Sequence, residues 1–393
     1  MVYSVKTFNN INQIGLKELG NNFQIDGDKS DNPDAYIIRS QNLHDVTFPT
    51  NLKAIARAGA GTNNIPIDEA TAQGIVVFNT PGANANAVKE AVLASILMSA
   101  RDYLAANAWV NTLSGDDVPK QVEAGKKQFA GTEISKKTLG VIGLGAIGSR
   151  IANYAQRLGM DVYGYDPYVS IETAWNISHH VKRVDDLKDI FANCDYITVH
   201  VPLNDKTRHT FDSQAFAQMK KDTVIINFAR AELVDNAALF DAIDTGVVKR
   251  YITDFGSEEL LNKEKITVFP HVGGSTEEAE LNCAIMAGKE IRQFMETGEI
   301  TNSVNFPNMH QALDAPYRIT LINKNVPNIV AKISTAVSDL GINIDNILNR
   351  SKGDYAYTIL DLDEIDKSKI DALVDNFENS ANIVRVRLIA NTK

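Results

Sequence analysis

The chain has 393 residues, of which 44% are hydrophobic and 22% charged, and its formal net charge is −10. This length suggests two or three domains, and an acidic chain whose basic residues are scattered argues against nucleic-acid binding. Two distant cysteines, Cys194 and Cys283, argue against a disulfide scaffold and a zinc site. No segment is apolar enough to span a membrane, and the start lacks a signal-peptide pattern, so we expect a cytoplasmic protein without a metal or membrane contact.

The first hundred residues are predicted to form an α/β layer. Short apolar runs at 36–38, 54–55 and 76–78 predict buried strands, separated by helical or loop segments. A long apolar-rich run at 87–103 then predicts a helix that leads out of this lobe.

The sequence LGVIGLGAIG contains a GxGxxG turn between a predicted strand and a predicted helix. Gly143 permits the tight turn, Gly145 lets a pyrophosphate approach the backbone, and Gly148 allows close packing of helix on strand. The next predicted strand ends at Asp166, 18 residues after Gly148, where an acid accepts the ribose 2′-hydroxyl and repels a 2′-phosphate. These features predict a dinucleotide site that prefers NAD to NADP.

Six predicted strands form a parallel sheet around this turn. They span 138–142, 161–165, 196–199, 223–227, 250–253 and 267–269. Ligands of such sheets bind beyond the carboxyl ends of the strands. The residues expected there are Gly143, Asp166, Val201 with Pro202, Arg230, Asp254 and His271. A helix predicted at 277–296 follows the last strand.

The chain from residue 316 onward has a different pattern. Strands are predicted at 318–323, 342–350, 355–361 and 383–388, with helices at 328–340 and 367–376. This βαββαβ order predicts a ferredoxin-like unit.

Two side chains at strand ends are suited to 2-oxo acid chemistry. Arg230 can clamp a carboxylate with its planar guanidinium, and His271 can exchange a proton with the substrate oxygen as hydride moves. An acid that orients the imidazole is expected on the loop after Asp254, where Glu258 and Glu259 are the candidates. His200 is expected to be structural.

The turn, Asp166, HVPL at 200–203, NFAR at 227–230 and PHVGGST at 270–276 resemble the D-2-hydroxyacid dehydrogenase family. The resemblance implies the catalytic residues Arg230, Glu259 and His271, although the loop lacks the family's usual Glu-Pro pair. It also implies contacts with the cofactor NAD. Together with the motif residues, the predicted cofactor set is Thr80, Gly143, Gly145, Ala146, Ile147, Gly148, Asp166, Val201, Pro202, Phe228, Ala229, Arg230, Asp254, Gly273 and Gly274.

The resemblance extends to both ends of the chain. In the first lobe it implies substrate binding by Arg39, Ser40, Arg57, Ala58, Gly59 and Ala60. At the C-terminus it implies an ACT domain, with effector residues Asn323, Asn325 and Asn343 and a homodimer or homotetramer. A role of this unit in assembly alone is the alternative.

The implied fold is a Rossmann-like NAD domain inserted into a flavodoxin-like substrate domain, followed by the ACT-like unit. The predicted boundaries are 1–100 and 276–308 for the substrate domain, 101–275 for the NAD domain, 309–316 for a linker and 317–393 for the ACT-like unit.

The implied activity is NAD-dependent oxidation of 3-phospho-D-glycerate to 3-phosphohydroxypyruvate, the first step of L-serine biosynthesis, with L-serine as the candidate effector. Two alternatives remain. One is a dehydrogenase for another 2-oxo acid, such as 2-oxoglutarate or hydroxypyruvate. The other is an NAD-sensing binding protein with little turnover.

Overall fold

The computed structural model describes residues 2–25, 31–363 and 366–391. The chain divides into two compact units. The first unit joins Met1–Ala83 to Glu280–Lys393, and the second is the stretch Asn84–Ala279. The divisions after residues 83 and 279 lie near the predicted domain boundaries at 100 and 275, which stay predictions.

The N-terminal part of the first unit is a five-stranded parallel sheet. Its strands are β1 (Tyr3–Thr7), β2 (Phe23–Ile25), β3 (Ala35–Ile38), β4 (Ala54–Arg57) and β5 (Val76–Asn79), and its helices are α1 (Gln13–Leu16), a 3₁₀ turn (Lys17–Leu19) and α2 (Ile67–Ala72). The strand order β2-β1-β3-β4-β5 is the flavodoxin-like order. The sequence patterns predicted β3, β4 and β5 but not the two strands at the other edge.

The second unit contains a seven-stranded parallel sheet of order β12-β11-β10-β9-β6-β7-β8. Its strands are β6 (Thr138–Ile142), β7 (Asp161–Tyr165), β8 (Lys182–Arg183), β9 (Tyr196–Val199), β10 (Thr223–Asn227), β11 (Val248–Thr253) and β12 (Ile266–Val268). All six predicted strands are confirmed. The two-residue strand β8, which is exposed and charged, carried no apolar signal.

Helices and 3₁₀ turns connect these strands. They are α3 (Ala85–Ala100), α4 (Tyr103–Val110), α5 (Val118–Gly125), a 3₁₀ turn (Lys126–Phe129), α6 (Gly148–Arg157), α7 (Ile171–Trp175), α8 (Leu187–Asn193), α9 (Ser213–Ala217), a second 3₁₀ turn (Ala231–Leu233) and α10 (Asn236–Asp244). The order of the sheet changes direction at β6, so the carboxyl ends of β6 and β9 border the position where such folds bind dinucleotides.

Helix α11 (Glu277–Thr297) leads out of the second unit, and the C-terminal module follows it. We use this name for Tyr317–Ala390, which consists of β13 (Tyr317–Lys324), α12 (Ile329–Asp339), β14 (Ile344–Lys352), β15 (Tyr355–Leu362), α13 (Lys367–Glu378) and β16 (Ile383–Ala390). The predicted βαββαβ order is confirmed, and the antiparallel sheet has the order β14-β15-β13-β16.

No helix within the described residues is both long and apolar enough to cross a lipid bilayer.

Candidate active site

The glycine turn joins β6 to α6 in the second unit. Gly143 has a φ of +89°, and a Cβ atom there would lie 2.6 Å from the carbonyl oxygen of His200. A Cβ at Gly148 would collide with the carbonyl oxygen of Gly143. At Gly145 no atom lies within 4 Å of the Cβ position, so the space in front of this residue is open. The turn therefore leaves room for a group to approach its backbone, as a pyrophosphate requires.

Asp166 follows β7 and directs its carboxylate toward this turn. Its Oδ2 accepts a hydrogen bond from the N–H of Leu144 at 2.8 Å, and its Oδ1 accepts one from the N–H of Tyr168 at 2.8 Å. Each oxygen keeps a lone pair for a further donor. The side chain is half-buried, so a ribose hydroxyl can reach it.

Replacement of Asp166 by Asn is expected to weaken NAD binding about tenfold, because a hydrogen bond to a charged acceptor is lost, and to reduce discrimination against NADP. Cofactor dissociation constants from quenching of protein fluorescence would test this. The control is Asp161→Asn, an exposed acid at the start of the same strand. An unchanged ratio of the NAD and NADP constants would contradict the role of Asp166.

Arg230 lies just beyond β10, on a loop that Asn227 holds. The fully buried Asn227 side chain donates to the carbonyl of Arg230 at 2.8 Å and accepts from the N–H groups of Ala229 and Arg230 at 3.1 and 3.3 Å. The guanidinium of Arg230 is exposed and donates to the carbonyl of Ala229 at 2.6 Å. The hydrogen bonds of Asn227 thus fix the backbone of this loop, whereas the guanidinium of Arg230 remains accessible to a ligand.

His271 follows β12 with a φ of +24°, and its side chain is 72% exposed. Its Nδ1 lies 3.8 Å from Oδ2 of Asp254, and its ring packs edge-on against Phe255 with the centroids 5.0 Å apart. The backbone N–H of His271 also donates to the carbonyl of Asp254 at 3.1 Å. The Nδ1 side of the ring therefore faces an acid, and the exposed Nε2 is left for proton exchange with a substrate.

Asp254 is buried at the end of β11. Burial raises the pKa of its carboxyl, whereas the positive charges of His271 and Arg230 and the N–H of Gly273 oppose that rise. Its Oδ1 is buried without a hydrogen-bond partner in the described part of the chain. Such an orphaned acceptor suits an amide N–H of a ligand, so Asp254 and the open turn at Gly145 both fit a bound NAD.

Neither of the two acids proposed to orient His271 forms an ion pair with it in the described residues. Glu258 and Glu259 are both exposed, and Oε2 of Glu259 accepts a hydrogen bond from Asn236 at 3.1 Å. That bond holds Glu259 at the start of α10. The acid that the structure places beside His271 is Asp254, which was predicted as a cofactor contact.

Other predicted cofactor residues border the same edge of the sheet. Gly273 lies close to Asp254 and Phe228, because a Cβ there would be 3.1 Å from the carboxylate and 3.3 Å from the ring. Phe228 packs edge-on against Phe269. The remaining members in the second unit are Ala146, Ile147, Val201, Pro202 and Gly274. Thr80 is fully buried in the first unit.

His200 follows β9 and is half-buried. Its Nε2 lies 2.8 Å from Oγ1 of Thr198, and burial lowers the pKa of the imidazole to about 3. The ring is therefore kept in its neutral form at physiological pH, and its lowered pKa makes it a weak base. Its carbonyl oxygen borders Gly143.

The first unit contains the predicted substrate residues. Arg39 forms an ion pair with Glu280 at 2.6 Å, and Nε of Arg57 donates to the carbonyl of Arg39 at 3.1 Å. Arg39 and Glu280 line a small pocket together with Ala58 and other residues of this unit. The N–H of Ser40 donates to Asn9 at 2.9 Å.

The loop 58–60 was predicted to bind a carboxylate through its backbone N–H groups. The N–H of Ala58 donates to the carbonyl of Ile38, and that of Gly59 donates to the carbonyl of Arg57, both at 2.8 Å. The carbonyl of Ala60 accepts from Asn79 at 2.6 Å. Two of the three predicted donors are thus already engaged with protein oxygens.

The three candidate effector residues of the C-terminal module do not form one cluster, because Asn343 lies far from Asn323 and Asn325. Asn323 is fully buried and accepts a hydrogen bond from Thr358 at 3.0 Å. Asn325 donates to the carbonyl of Gly353 at 3.2 Å, and Asn343 donates to Asp363 at 2.6 Å. Lys324 pairs with Tyr355 in the sheet, whereas Ile344 pairs with Leu362. Asn325 and Asn343 therefore lie at opposite ends of the sheet of one chain.

Two residues that contact predicted site residues were missed by the sequence reasoning. Asn227 is part of the NFAR motif, but no role was predicted for it. The signal that could have identified it is a polar residue at the end of a buried strand, which needs hydrogen-bond partners. Glu280 gave no local signal, because its partner Arg39 is distant in sequence. Side chains of His, Cys, Asp and Glu form no group of three or more that could hold a metal ion within the described ranges.

The middle of the chain matches the model of a known protein family. Residues 93–273 match the family model "D-isomer specific 2-hydroxyacid dehydrogenase, NAD binding domain". This part of the chain is therefore similar to the NAD-binding domains of that family, which agrees with the glycine turn, Asp166 and the open space in front of Gly145.

Similar curated proteins carry one recurrent name. D-3-phosphoglycerate dehydrogenase of Methanocaldococcus jannaschii is 38% identical over 66% of this chain and 49% of its own length. D-3-phosphoglycerate dehydrogenase of Bacillus subtilis is 31% identical over 87% of this chain and 64% of its own length. The chain thus spans about half of the first relative and under two thirds of the second.

Solved structures share the fold. D-mandelate dehydrogenase of Rhodotorula graminis, in a holo form, matches with a TM-score of 0.66 and 22% identity over 79% of this chain and 99% of that chain. NAD⁺-bound 3-phosphoglycerate dehydrogenase of Entamoeba histolytica matches with a TM-score of 0.60 and 24% identity over 78% of this chain and 99% of its own. These likenesses confirm the α/β dehydrogenase fold.

Proposed function

We propose that this chain is an NAD-dependent dehydrogenase that oxidises 3-phospho-D-glycerate to 3-phosphohydroxypyruvate, the first step of L-serine biosynthesis. The observation that carries the proposal is the grouping of His271, Asp254 and Arg230 at the carboxyl edge of an NAD-binding sheet. The names of the curated relatives support the substrate.

The proposed roles follow from the contacts of each side chain. Neutral His271 accepts the proton of the C2 hydroxyl at Nε2, and the carboxylate 3.8 Å from its Nδ1 stabilises the imidazolium that results. Arg230 binds the substrate carboxylate with its exposed guanidinium. Bound NAD would supply the acceptor for the hydride that leaves C2. Asp254 offers its unpartnered Oδ1 to the cofactor and its Oδ2 to His271.

Glu259 remains the proposed catalytic acid that the family resemblance implies. To take part, Glu259 must break its hydrogen bond with Asn236. In the structure as described, Asp254 is better placed to orient the ring. Substrate binding by Arg39, Ser40, Arg57 and the loop 58–60 is also part of the proposal. The ion pair with Glu280 means that Arg39 must exchange one anionic partner for another when it binds a phosphate.

The C-terminal module is proposed to be an ACT-like regulatory unit that binds L-serine. Because Asn325 and Asn343 lie at opposite ends of one sheet, a site built from both requires two chains. This supports a homodimer or homotetramer. A cytoplasmic location is proposed because Cys194 and Cys283 are both free.

The decisive experiment follows NADH absorbance during reduction of 3-phosphohydroxypyruvate, pyruvate, hydroxypyruvate and 2-oxoglutarate, each with and without L-serine. We expect kcat/KM for the phosphorylated substrate to exceed the others at least tenfold, because cationic side chains add contacts with the phosphate. Equal or reversed preference would refute the substrate while leaving the dehydrogenase chemistry. NAD binding without turnover on any substrate would favour an NAD-sensing protein.

A further inference from the structure

The end of helix α11 is covered by side chains from the C-terminal module. The last carbonyl groups of a helix have no partner within the helix and must be satisfied by other donors. Here Arg387 donates to the carbonyl of Met295 at 3.0 Å, and Arg318 donates to that of Thr297 at 2.8 Å. Tyr357 donates its hydroxyl to the carbonyl of Gly298 at 2.7 Å. Three strands of the module therefore provide the cap of this helix.

These capping groups are buried. Arg318 is 0% exposed, Tyr357 1% and Arg387 9%. The guanidinium of Arg387 also stacks over the ring of Phe294 at 4.3 Å. Cationic groups at a helix C-terminus interact favourably with the helix dipole, and burial strengthens that interaction because solvent screening is low.

The charge of Arg318 is balanced within the module. Its Nε and Nη2 donate to the two carboxylate oxygens of Asp361, the second at 2.8 Å, and Asp361 is itself 1% exposed. Its remaining N–H groups donate to the carbonyls of Thr297, Gln311 and Ala312, each at 2.8 Å. All five donors of this guanidinium are satisfied, and three of the bonds leave the module.

The polar contacts lie over a shared apolar core. Ile322, Tyr357 and Ile359 of the module belong to the same buried cluster as Phe78 of β5 and Phe294 of α11. The segment predicted as a linker, 309–316, packs within the first unit, because Met309 is fully buried and its N–H donates to the carbonyl of Ile300 at 2.9 Å. Helices α12 and α13 contribute to a separate cluster within the module.

We propose that Arg318, Arg387 and Tyr357 lock the C-terminal module in cis onto the C-terminal end of helix α11, so that the module and the N-terminal sheet β1–β5 of the same unit open as one cooperative body. The module is then held at the C-terminal end of helix α11 and does not move independently on a linker.

The test is hydrogen exchange with mass spectrometry on the full-length chain. Arg318→Met leaves the buried carboxylate of Asp361 without its ion-pair partner and removes the donor to three carbonyls. We expect exchange to rise at least tenfold in three places together: the last turns of α11, strands β13–β16, and the strands β4 and β5 that share the core. Lys367→Met, which removes an exposed charge from α13, should leave all three at wild-type rates.

If Arg318→Met does not fold, a milder variant provides the same test. Tyr357→Phe removes one buried hydrogen bond and keeps the ring, so we expect a rise of about threefold to tenfold with the same three regions changing together. Loss of protection confined to the module, with α11 and β4 at wild-type rates, would overturn the proposal for either variant.

Discussion

Replacement of His271 by Asn is expected to lower the turnover number by about 10²–10⁴-fold while leaving NAD affinity within about twofold. Asn has no group that accepts the C2 hydroxyl proton at neutral pH, so the general base is lost. It is also among the residues that best tolerate the positive φ found at this position, so the backbone should be preserved. Steady-state assays and cofactor titration would measure the two effects separately.

The matched control is His179→Asn, which changes an exposed histidine of the second unit that has no role in the proposed mechanism. Its turnover should equal that of the unchanged protein. If His271→Asn weakened NAD binding as much as it lowered turnover, His271 would be a cofactor contact or a structural residue and not the base.

Replacement of Glu290 by Gln is expected to stabilise the first unit at pH 8.5 and to have little effect at pH 4.5. Glu290 lies on α11, is 4% exposed, and has one hydrogen bond, from Asn302 at 2.8 Å. Its Oε2 is buried without a partner in the described residues. Burial raises the pKa of the carboxyl from its ordinary value of 4.5 to about 8, and the bond from Asn302 only partly opposes this.

The pH dependence follows from the protons that each state binds. Between pH 4.5 and about 8 the unfolded chain has released the Glu290 proton whereas the folded chain keeps it, so the free energy of unfolding falls as pH rises. Across this window the loss is roughly 3–5 kcal/mol. Gln resembles the protonated acid and has no proton to release, so it removes this loss and keeps an oxygen for Asn302.

Thermal or denaturant unfolding at several pH values would measure the difference. Glu278→Gln, an exposed carboxylate at the start of the same helix, should be neutral at every pH. A stabilisation by Glu290→Gln that did not change with pH would mean that Glu290 is ionised in the folded chain.

Local sequence patterns were sufficient for most elements of the fold. The six apolar strands of the second unit and the βαββαβ module were predicted because buried strands are continuous apolar runs bounded by turn residues. The edge strands β2 and β8 were not predicted because a strand with little burial has no such run. Gly143, Gly145, Gly148 and Asp166 could be assigned because a dinucleotide turn imposes its spacing within one segment.

The sequence by itself thus determined the parallel NAD-binding sheet, the dinucleotide turn and the residues at the strand ends, since each depends on neighbours a few positions away. Only the tertiary structure decided that Asp254 faces His271 while Glu259 is held by Asn236, and that Arg39 pairs with Glu280. It also decided that the predicted linker is pinned by Arg318. These pairings join residues that are remote in sequence. They depend on burial and on competition among hydrogen-bond donors, which local sequence patterns do not predict.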